Sequence, residues 1–293
     1  MPSLKNIRRR IASVKSTAKI TRAMKLVAAS KLRRAQERLV QMRPYAFRVA
    51  DMIAELARGT DQEAHALLAQ RPPKRTLLVV LTSDKGLAGA FNTNVNKAAW
   101  AWVRDHADKR DHIELRIVGK KGRDYFKARK ANVGQVYADV LTNVTLERAG
   151  GIGRDVVAAY VDGAFDEVFI AYNVFKSAIA QVPTLEQILP INAAAGDVDD
   201  ELLPPPTAET LFEPTKYAVL DALLPMHINV LVYRTLLESV ASEMGARMSS
   251  MDAATKNAGD LLKRITLQYN RARQAIITTE LMEITSGAEA LKG

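Results

Sequence analysis

The 293-residue chain contains no cysteine. That excludes thiolate catalysis, Cys-based zinc sites, disulfides and thiol redox switching. Long apolar runs are absent too: no stretch of 18 apolar residues occurs, and the start lacks the short apolar core of a secretory signal, so neither a membrane span nor an export leader is expected. Aromatic residues make up 6%, and none precedes Tyr45. The scarcity that says most is of acid. Residues 1–36 hold no Asp or Glu, the first carboxylate being Glu37, yet they carry eleven cations: Lys5, Arg8, Arg9, Arg10, Lys15, Lys19, Arg22, Lys25, Lys31, Arg33 and Arg34. Set against a total of +10, this +11 leaves −1 for the other 257 residues. The basic character therefore belongs to one segment. An Arg-rich, acid-free start also has the composition of a mitochondrial transit peptide, but a regular pattern runs through it unbroken to residue 56, which favours structure. With 48% hydrophobic and 25% charged residues, the chain has the material for a folded core.

That pattern is a 3,4 spacing: Leu4, Ile7, Ile11, Val14, Ala18, Thr21, Lys25, Ala28, Leu32, Ala35, Leu39, Met42, Ala46, Val49, Ile53 and Leu56, fourteen of the sixteen apolar. It predicts one coiled-coil helix over 1–58, about 80 Å long. Pro44 is interior and should bend the helix locally. The seam fails at Thr21 and Lys25, and Ile20 and Met24 one position earlier suggest that the apolar stripe shifts around the helix. A second series runs from Val219 to Met282 by way of Met251, Ala254, Ala258, Leu261, Ile265, Gln268 and Ala272. Sixteen of its nineteen positions are apolar, which predicts a second long helix within 209–290, bent near its start by Pro225.

Between them, after Gly59, Pro72 and Pro73, the sequence alternates strand and helix signals over 75–195. Strands are expected at 76–82 (TLLVVLT), 113–119, 134–138 and 167–175, with an antiparallel edge strand from Ile179 to Val182. Helices are expected near 94–107, 120–130 and 154–164. The fold class is α/β: a central Rossmann-like domain with a mostly parallel sheet, inserted between two long helices. A compact insert returns the chain near its entry point, so the helices are expected to pair antiparallel. An acidic, proline-rich connection at 196–206 leads into the second helix.

Chemistry-bearing motifs are few. The loop Ser83-Asp84-Lys85-Gly86-Leu87-Ala88-Gly89 lies between a strand and a helix, where an α/β fold binds phosphate, but its spacing is neither GxGxxG nor GxxxxGK[ST]. A tight turn is the better reading, and Gly119-Lys120-Lys121-Gly122 and Gly150-Gly151-Ile152-Gly153 are read as turns too. His65, His106, His112 and His227 have no metal-ligand spacing and are expected to be packed or solvated. Asp197, Asp199, Asp200 and Glu201 begin like a calcium loop but lack glycine at the sixth place. No nucleophile, base and orienting group assemble, so no catalytic residue, metal or cofactor is expected.

The cations of 1–36 admit three partners. Nucleic acid would be attracted, but stacking aromatics are not interleaved with the charge. A membrane surface selects a one-sided basic helix, whereas here only Lys25 falls on the seam and charge encircles the rest. An acidic protein surface met on several sides fits best. A nucleic-acid-binding coiled coil stays as the alternative, and a nucleotide-dependent enzyme using the α/β domain as a third.

Three blocks resemble the gamma subunit of F-type ATP synthases of the bacterial type: IRRRIASVKSTAKITRAMKLVAASKLRRAQ at 7–36, SDKGLAGAFNTN at 83–94, and SEMGARMSSMDAATKNAGDLLKRITLQYNRARQAIITTELMEITSGAEAL at 242–291. The resemblance covers essentially the whole chain. It implies a non-catalytic central shaft whose helix pair sits in a ring of three alpha and three beta subunits, with the central domain beside the epsilon subunit and the c-subunit ring. Proton flow would turn the shaft and drive the beta sites through ATP synthesis or hydrolysis. The complex would be peripheral, on the cytoplasmic face of the bacterial inner membrane, with no direct membrane insertion and no nucleic acid.

Carried over position by position, Met24 matches a methionine beside acidic lever loops of the beta subunit, while Lys25 departs from the acidic or neutral residue of some members. Arg273, Gln274 and Thr278 match residues that bond to a beta-subunit catch loop, and Met282 and Ile284 would lie in an apolar bearing. Arg8, Arg9, Arg10, Lys15, Lys19, Arg22, Lys31, Arg33 and Arg34 would form a basic collar facing the lever loops. Ala88 stands where other members often carry cysteine, and the cysteine-bearing insert of chloroplast forms is missing, so thiol control is not expected.

Overall fold

A computed structural model describes residues 3–57, 65–191, 213 and 215–290. Gly59 and the acidic stretch with Asp197, Asp199, Asp200 and Glu201 lie outside the described residues. The chain divides into two compact units, Ala29–Ala246 and a helical unit of Met1–Ala28 with Arg247–Gly293. Two long helices, α1 (Leu4–Ala57) and α5 (Lys216–Ala290), contribute to both. Every α1 position of the 3,4 series is buried or half-buried, Thr21 and Lys25 included. Pro44 lies within α1 and Pro225 within α5 without ending either helix.

The larger unit holds a five-stranded sheet made of β1 (Arg75–Leu81), β2 (His112–Val118), β3 (Val133–Tyr137), β4 (Glu167–Phe175) and β5 (Gln181–Leu189). Their order is β3-β2-β1-β4-β5. The first four are mutually parallel and β5 is antiparallel to β4. β1 is central, and all of its residues after Arg75 are buried. A strand covered on both faces reads as a continuous apolar run rather than an alternation, which is why TLLVVL stands out in the sequence.

Helices α2 (Phe91–His106) and α3 (Lys120–Lys127) cover one face. There Leu78, Val80, Leu115, Ile117 and Ala171 of the strands pack with Val95, Ala99 and Phe126. Helix α4 (Leu146–Val161) lies on the other face, where Arg116, the neighbour of Leu115 and Ile117, donates to the Asp155 carbonyl at 3.1 Å. At the N-terminal edge of the strands two nearly buried carboxylates are paired. Asp166 accepts from Arg75 Nη2 at 2.9 Å, and Glu167 from Arg110 Nε at 2.7 Å.

Three expectations are corrected here. The stretch Gly119-Lys120-Lys121-Gly122 is the start of α3, with Gly119 at its N-cap and the other three in its first turn. The stretch Gly150-Gly151-Ile152-Gly153 is not a turn but the interior of α4, which begins at Leu146 with Thr145 accepting from the Arg148 N–H at 3.3 Å. Its glycines serve packing: a Cβ on Gly153 would lie 2.2 Å from Asn229 Oδ1 of α5. The edge strand starts at Gln181 and extends to Leu189, whereas Ile179 is in the hairpin turn, 87% exposed, with its N–H donated to Ser177 Oγ.

Candidate functional site

The helical unit is an antiparallel pair. Arg8 Nη2 donates to the Tyr269 hydroxyl at 3.0 Å, the Thr21 and Thr255 hydroxyls meet at 2.7 Å, and Lys25 Nζ donates to Asp252 Oδ1 at 2.6 Å. As numbers rise along one helix, those of their partners fall along the other. Ile7, Thr21 and Ala28 of α1 and Met251, Ala258 and Ile265 of α5 are buried in this seam. The apolar stripe of α1 does not shift at Ile20, which is 57% exposed. Thr21 and Lys25 stay inward because each has a polar partner across the seam.

On α5 the buried stripe differs at alternate positions from the one expected. Thr255, Leu262 and Tyr269 are half-buried, while Leu261 is 44% exposed and Gln268 is exposed. Leu261 and Leu262 are adjacent and equally apolar, so spacing alone could not choose between them.

The nine collar residues are all exposed: Arg8, Arg9, Arg10, Lys15, Lys19 and Arg22 in the helical unit, and Lys31, Arg33 and Arg34 on α1 in the larger unit. Arg33 is paired with Glu37 one turn on, at 2.8 Å. Lys25 differs from the collar, because Asp252 takes its ammonium on one oxygen and that of Lys256 on the other, at 3.2 Å. The side-chain hydrogen bond from Lys25, then that from Lys256, holds the Asp252 carboxyl below the usual carboxylate range.

Met24 is half-buried, between the exposed Ile20 and Val27, the latter at 57%. Arg273, Gln274 and Thr278 are exposed, and the Thr278 hydroxyl donates to the Gln274 carbonyl of its own helix at 2.9 Å. Met282 and Ile284 are exposed at 64% and 69%. Sequence reasoning did not single out their neighbours Ile276, Ile277 and Leu281, which are also exposed. These five apolar side chains point in different directions around a helix of 3.6 residues per turn. The register explains their exposure: since Tyr269 meets Arg8 and α1 begins at Leu4, α5 runs past the end of its partner soon after Arg273.

In the larger unit, the crevice where an open α/β sheet takes a ligand lies at the C-terminal ends of β1 and β4, where the strand order reverses. Here α5 occupies it. Ser242 Oγ donates to the Asn173 carbonyl at 2.8 Å, Glu238 accepts from the Phe175 N–H at 2.9 Å, and Ala246 packs against Ala88 and Phe91. A Cβ on Gly245 would lie 2.9 Å from the Phe175 ring, so glycine permits the close approach. The loop between β1 and α2 is tied down by side-chain hydrogen bonds. Asn92 Oδ1 accepts from the Ser83 N–H at 2.9 Å, and the Asp84 carboxylate accepts from the Lys120 N–H at the start of α3 and the Asp139 N–H, both at 3.1 Å. The N-terminus of α3 thus already holds a carboxylate.

His65 is buried, His106 and His227 are half-buried, and His112 is exposed. His65 contacts Asp221 at 3.1 Å, His106 Nδ1 lies 2.8 Å from the Trp102 carbonyl, and His112 lies 3.3 Å from Asn132. Burial holds His227 below the ordinary histidine value, helped by the positive charge of Arg234 and opposed by Glu186.

A family profile described as ATP synthase matches residues 3–291. The chain is 47% identical over 293 residues to the ATP synthase gamma chain of Geobacter sp. (strain M21), covering all of both sequences. It is 48% identical over 295 residues to that of Anaeromyxobacter dehalogenans (strain 2CP-1 / ATCC BAA-258), again covering both in full. Among solved structures, the central stalk and c-ring of the Tetrahymena thermophila mitochondrial ATP synthase includes a chain that matches with a TM-score of 0.60 and 27% identity, over 80% of this chain and 99% of that one. A chain of the Euglena gracilis mitochondrial ATP synthase rotor shares the fold at a TM-score of 0.66 and 19% identity, over 94% of this chain and 98% of that one.

Proposed function

The chain belongs to the ATP synthase gamma-chain family, and from that premise we propose how it works as the shaft of the enzyme. It is a non-catalytic subunit with a rotary coupling role, linking ion flow across the membrane to ATP synthesis or hydrolysis at sites on other subunits. The helical unit sits inside a ring of three alpha and three beta subunits, and the α/β domain lies beside the epsilon subunit and the c-subunit ring. The complex is peripheral, on the cytoplasmic face of the bacterial inner membrane. No helix among the described residues is long and apolar enough to cross a membrane.

The observation that carries this reading is the contrast between a closed seam and an open outer surface. Arg8, Arg9, Arg10, Lys15, Lys19 and Arg22 all project outward from an acid-free stretch whose inward side is already satisfied by α5. Such a surface suits acidic loops that meet the shaft from several sides. An exposed ion pair is worth only about 0–1 kcal/mol, so no single contact would trap a rotor. Met24, half-buried on that surface, meets the beta-subunit lever loops. The exposed Arg273, Gln274 and Thr278 bond to a catch loop, and Met282 and Ile284 run in the apolar bearing.

Reconstitution with alpha and beta subunits tests the reading, with ATPase activity measured in the presence and absence of this chain. Assembly with a changed rate is expected. Failure to assemble, or an unchanged rate, would remove it.

A further inference from the structure

We propose that Lys25, Asp252 and Lys256, with the Thr21–Thr255 contact in the next layer, form a polar latch that fixes the axial register of the two helices of the helical unit. The seam needs one. Its neighbouring layers are small, with Ala18 and Ala28 on α1 and Ala258 on α5, and Ala18 is only half-buried. Contact between small apolar groups is non-directional, so helices joined that way alone are poorly defended against sliding by a heptad. A polar residue at a seam position specifies register at some cost in stability.

The latch is chemically complete. Each hydroxyl also has a carbonyl of its own helix within reach, Met251 for Thr255 at 2.7 Å and Ala18 for Thr21 at 3.2 Å, so either can donate in their 2.7 Å contact while the other turns its proton to its own helix. Each Asp252 oxygen takes one ammonium, Lys25 from across the seam and Lys256 from its own helix. A slip of seven residues would set Lys25 opposite Gly259 and Thr21 opposite Leu262, and both pairings would be lost together. Lys25 and Asp252 are 41% and 36% exposed, so their ion pair adds little to stability, and its value lies in discriminating between registers. Lys25 is therefore a positioning residue, apart from the collar that faces partners. Its consequence for torque rests on the shaft reading: a pair held in one register keeps the outward faces of the two helices in a fixed relation.

The chain has no native cysteine, so Thr21→Cys with Thr255→Cys gives a clean register probe. Hydroxyls 2.7 Å apart place the replacing sulfurs within bonding reach. Disulfide formation is followed under mild oxidation in the full chain, free and assembled with alpha and beta subunits. With the charged triad intact the bond should form readily. Lys25→Glu should slow it several-fold by setting two carboxylates together, and Lys25→Arg should not. The full inversion K25E/D252K/K256E should restore the parent rate. A K25E chain that cross-links as fast as the parent, or an inverted triad that stays slow, overturns the latch. If K25E does not fold, as judged by circular dichroism, the inverted triad decides alone: folded and cross-linking supports the latch, and anything else sinks it. A chain that shows all the expected cross-linking yet leaves the ATPase of the alpha and beta subunits unchanged defeats the shaft reading and not the latch.

Discussion

Gly153 of α4 meets Asn229 of α5 so closely that a Cβ at residue 153 would stand 2.2 Å from Asn229 Oδ1 and 3.3 Å from its Cα. Two residues away on the same helix, a Cβ on Gly151 would meet nothing within 4 Å. The two glycines therefore respond to alanine with opposite signs. Gly153→Ala forces α4 and α5 apart or displaces Asn229, and should cost about 1–3 kcal/mol. Gly151→Ala removes only the entropic penalty of glycine in a helix and should gain about 0.5–1 kcal/mol. Urea denaturation of both variants checks this, and equal shifts of one sign would refute the packing role.

Asp166 predicts how the α/β domain responds to acid. Burial raises its carboxyl, but the Arg75 side chain and the Arg75 and Lys74 backbone N–H groups together outweigh burial and hold it below the usual carboxylate range. A group depressed in the folded state contributes stability above its unfolded value, near pH 4, and loses it as pH falls through the folded value. Asp166→Asn should therefore cost about 1–3 kcal/mol at neutral pH. It should also flatten the acid limb of the stability profile below about pH 4. An unchanged acid limb would mean that other carboxylates govern it.

These positions mark what the sequence could and could not tell. The strands of the sheet were legible because β1 is covered on both faces and its run of apolar residues is uninterrupted. The α1 seam was legible for the same kind of reason, one helix facing one partner. The glycines of α4 were not, because glycine signals a turn in the chain alone, and only the position of Asn229 shows that it makes room for a neighbour. Leu261 and Leu262 were undecidable by period, and Thr21 and Lys25 looked like breaks because their partners Thr255 and Asp252 are more than two hundred residues away. The exposed residues Arg273, Gln274 and Thr278 came from resemblance to a family, since no local pattern in the chain marks them out.

Their exposure supplies a separation of folding from coupling. Gln274→Ala and Arg273→Ala change side chains that the seam does not use, and should leave thermal stability within about 0.5 kcal/mol. In the reconstituted complex both should lower the ATPase rate. Met24→Lys should do more, since it adds a charge at the half-buried position proposed to meet the lever loops, impairing proton-driven ATP synthesis while the chain still folds. Measuring the melt and the synthesis rate on the same preparation separates the two effects. Normal synthesis with Met24→Lys, or a melt as damaged as the synthesis, would count against this contact.

The acid-free start of the chain makes assembly sensitive to salt. Opposite charges steer encounter at low ionic strength, and the benefit fades as the screening length shrinks to about 8 Å at physiological salt and about 3 Å at 1 M. Replacing Arg9, Arg10 and Lys15 together by glutamine removes three exposed cations that have no role in the seam. Association with the alpha and beta subunits should then slow several-fold at low salt, and the variant and parent should converge as salt rises. Replacing the exposed Lys127 and Lys130 of the α/β domain in the same way lowers the net charge without touching the collar, and should leave the rate near the parent's. Stopped-flow kinetics across a salt series decides the matter. If both sets slow association equally, overall charge matters and the collar has no special place. If only the helical set does, the attraction is local to the surface that the seam leaves outward.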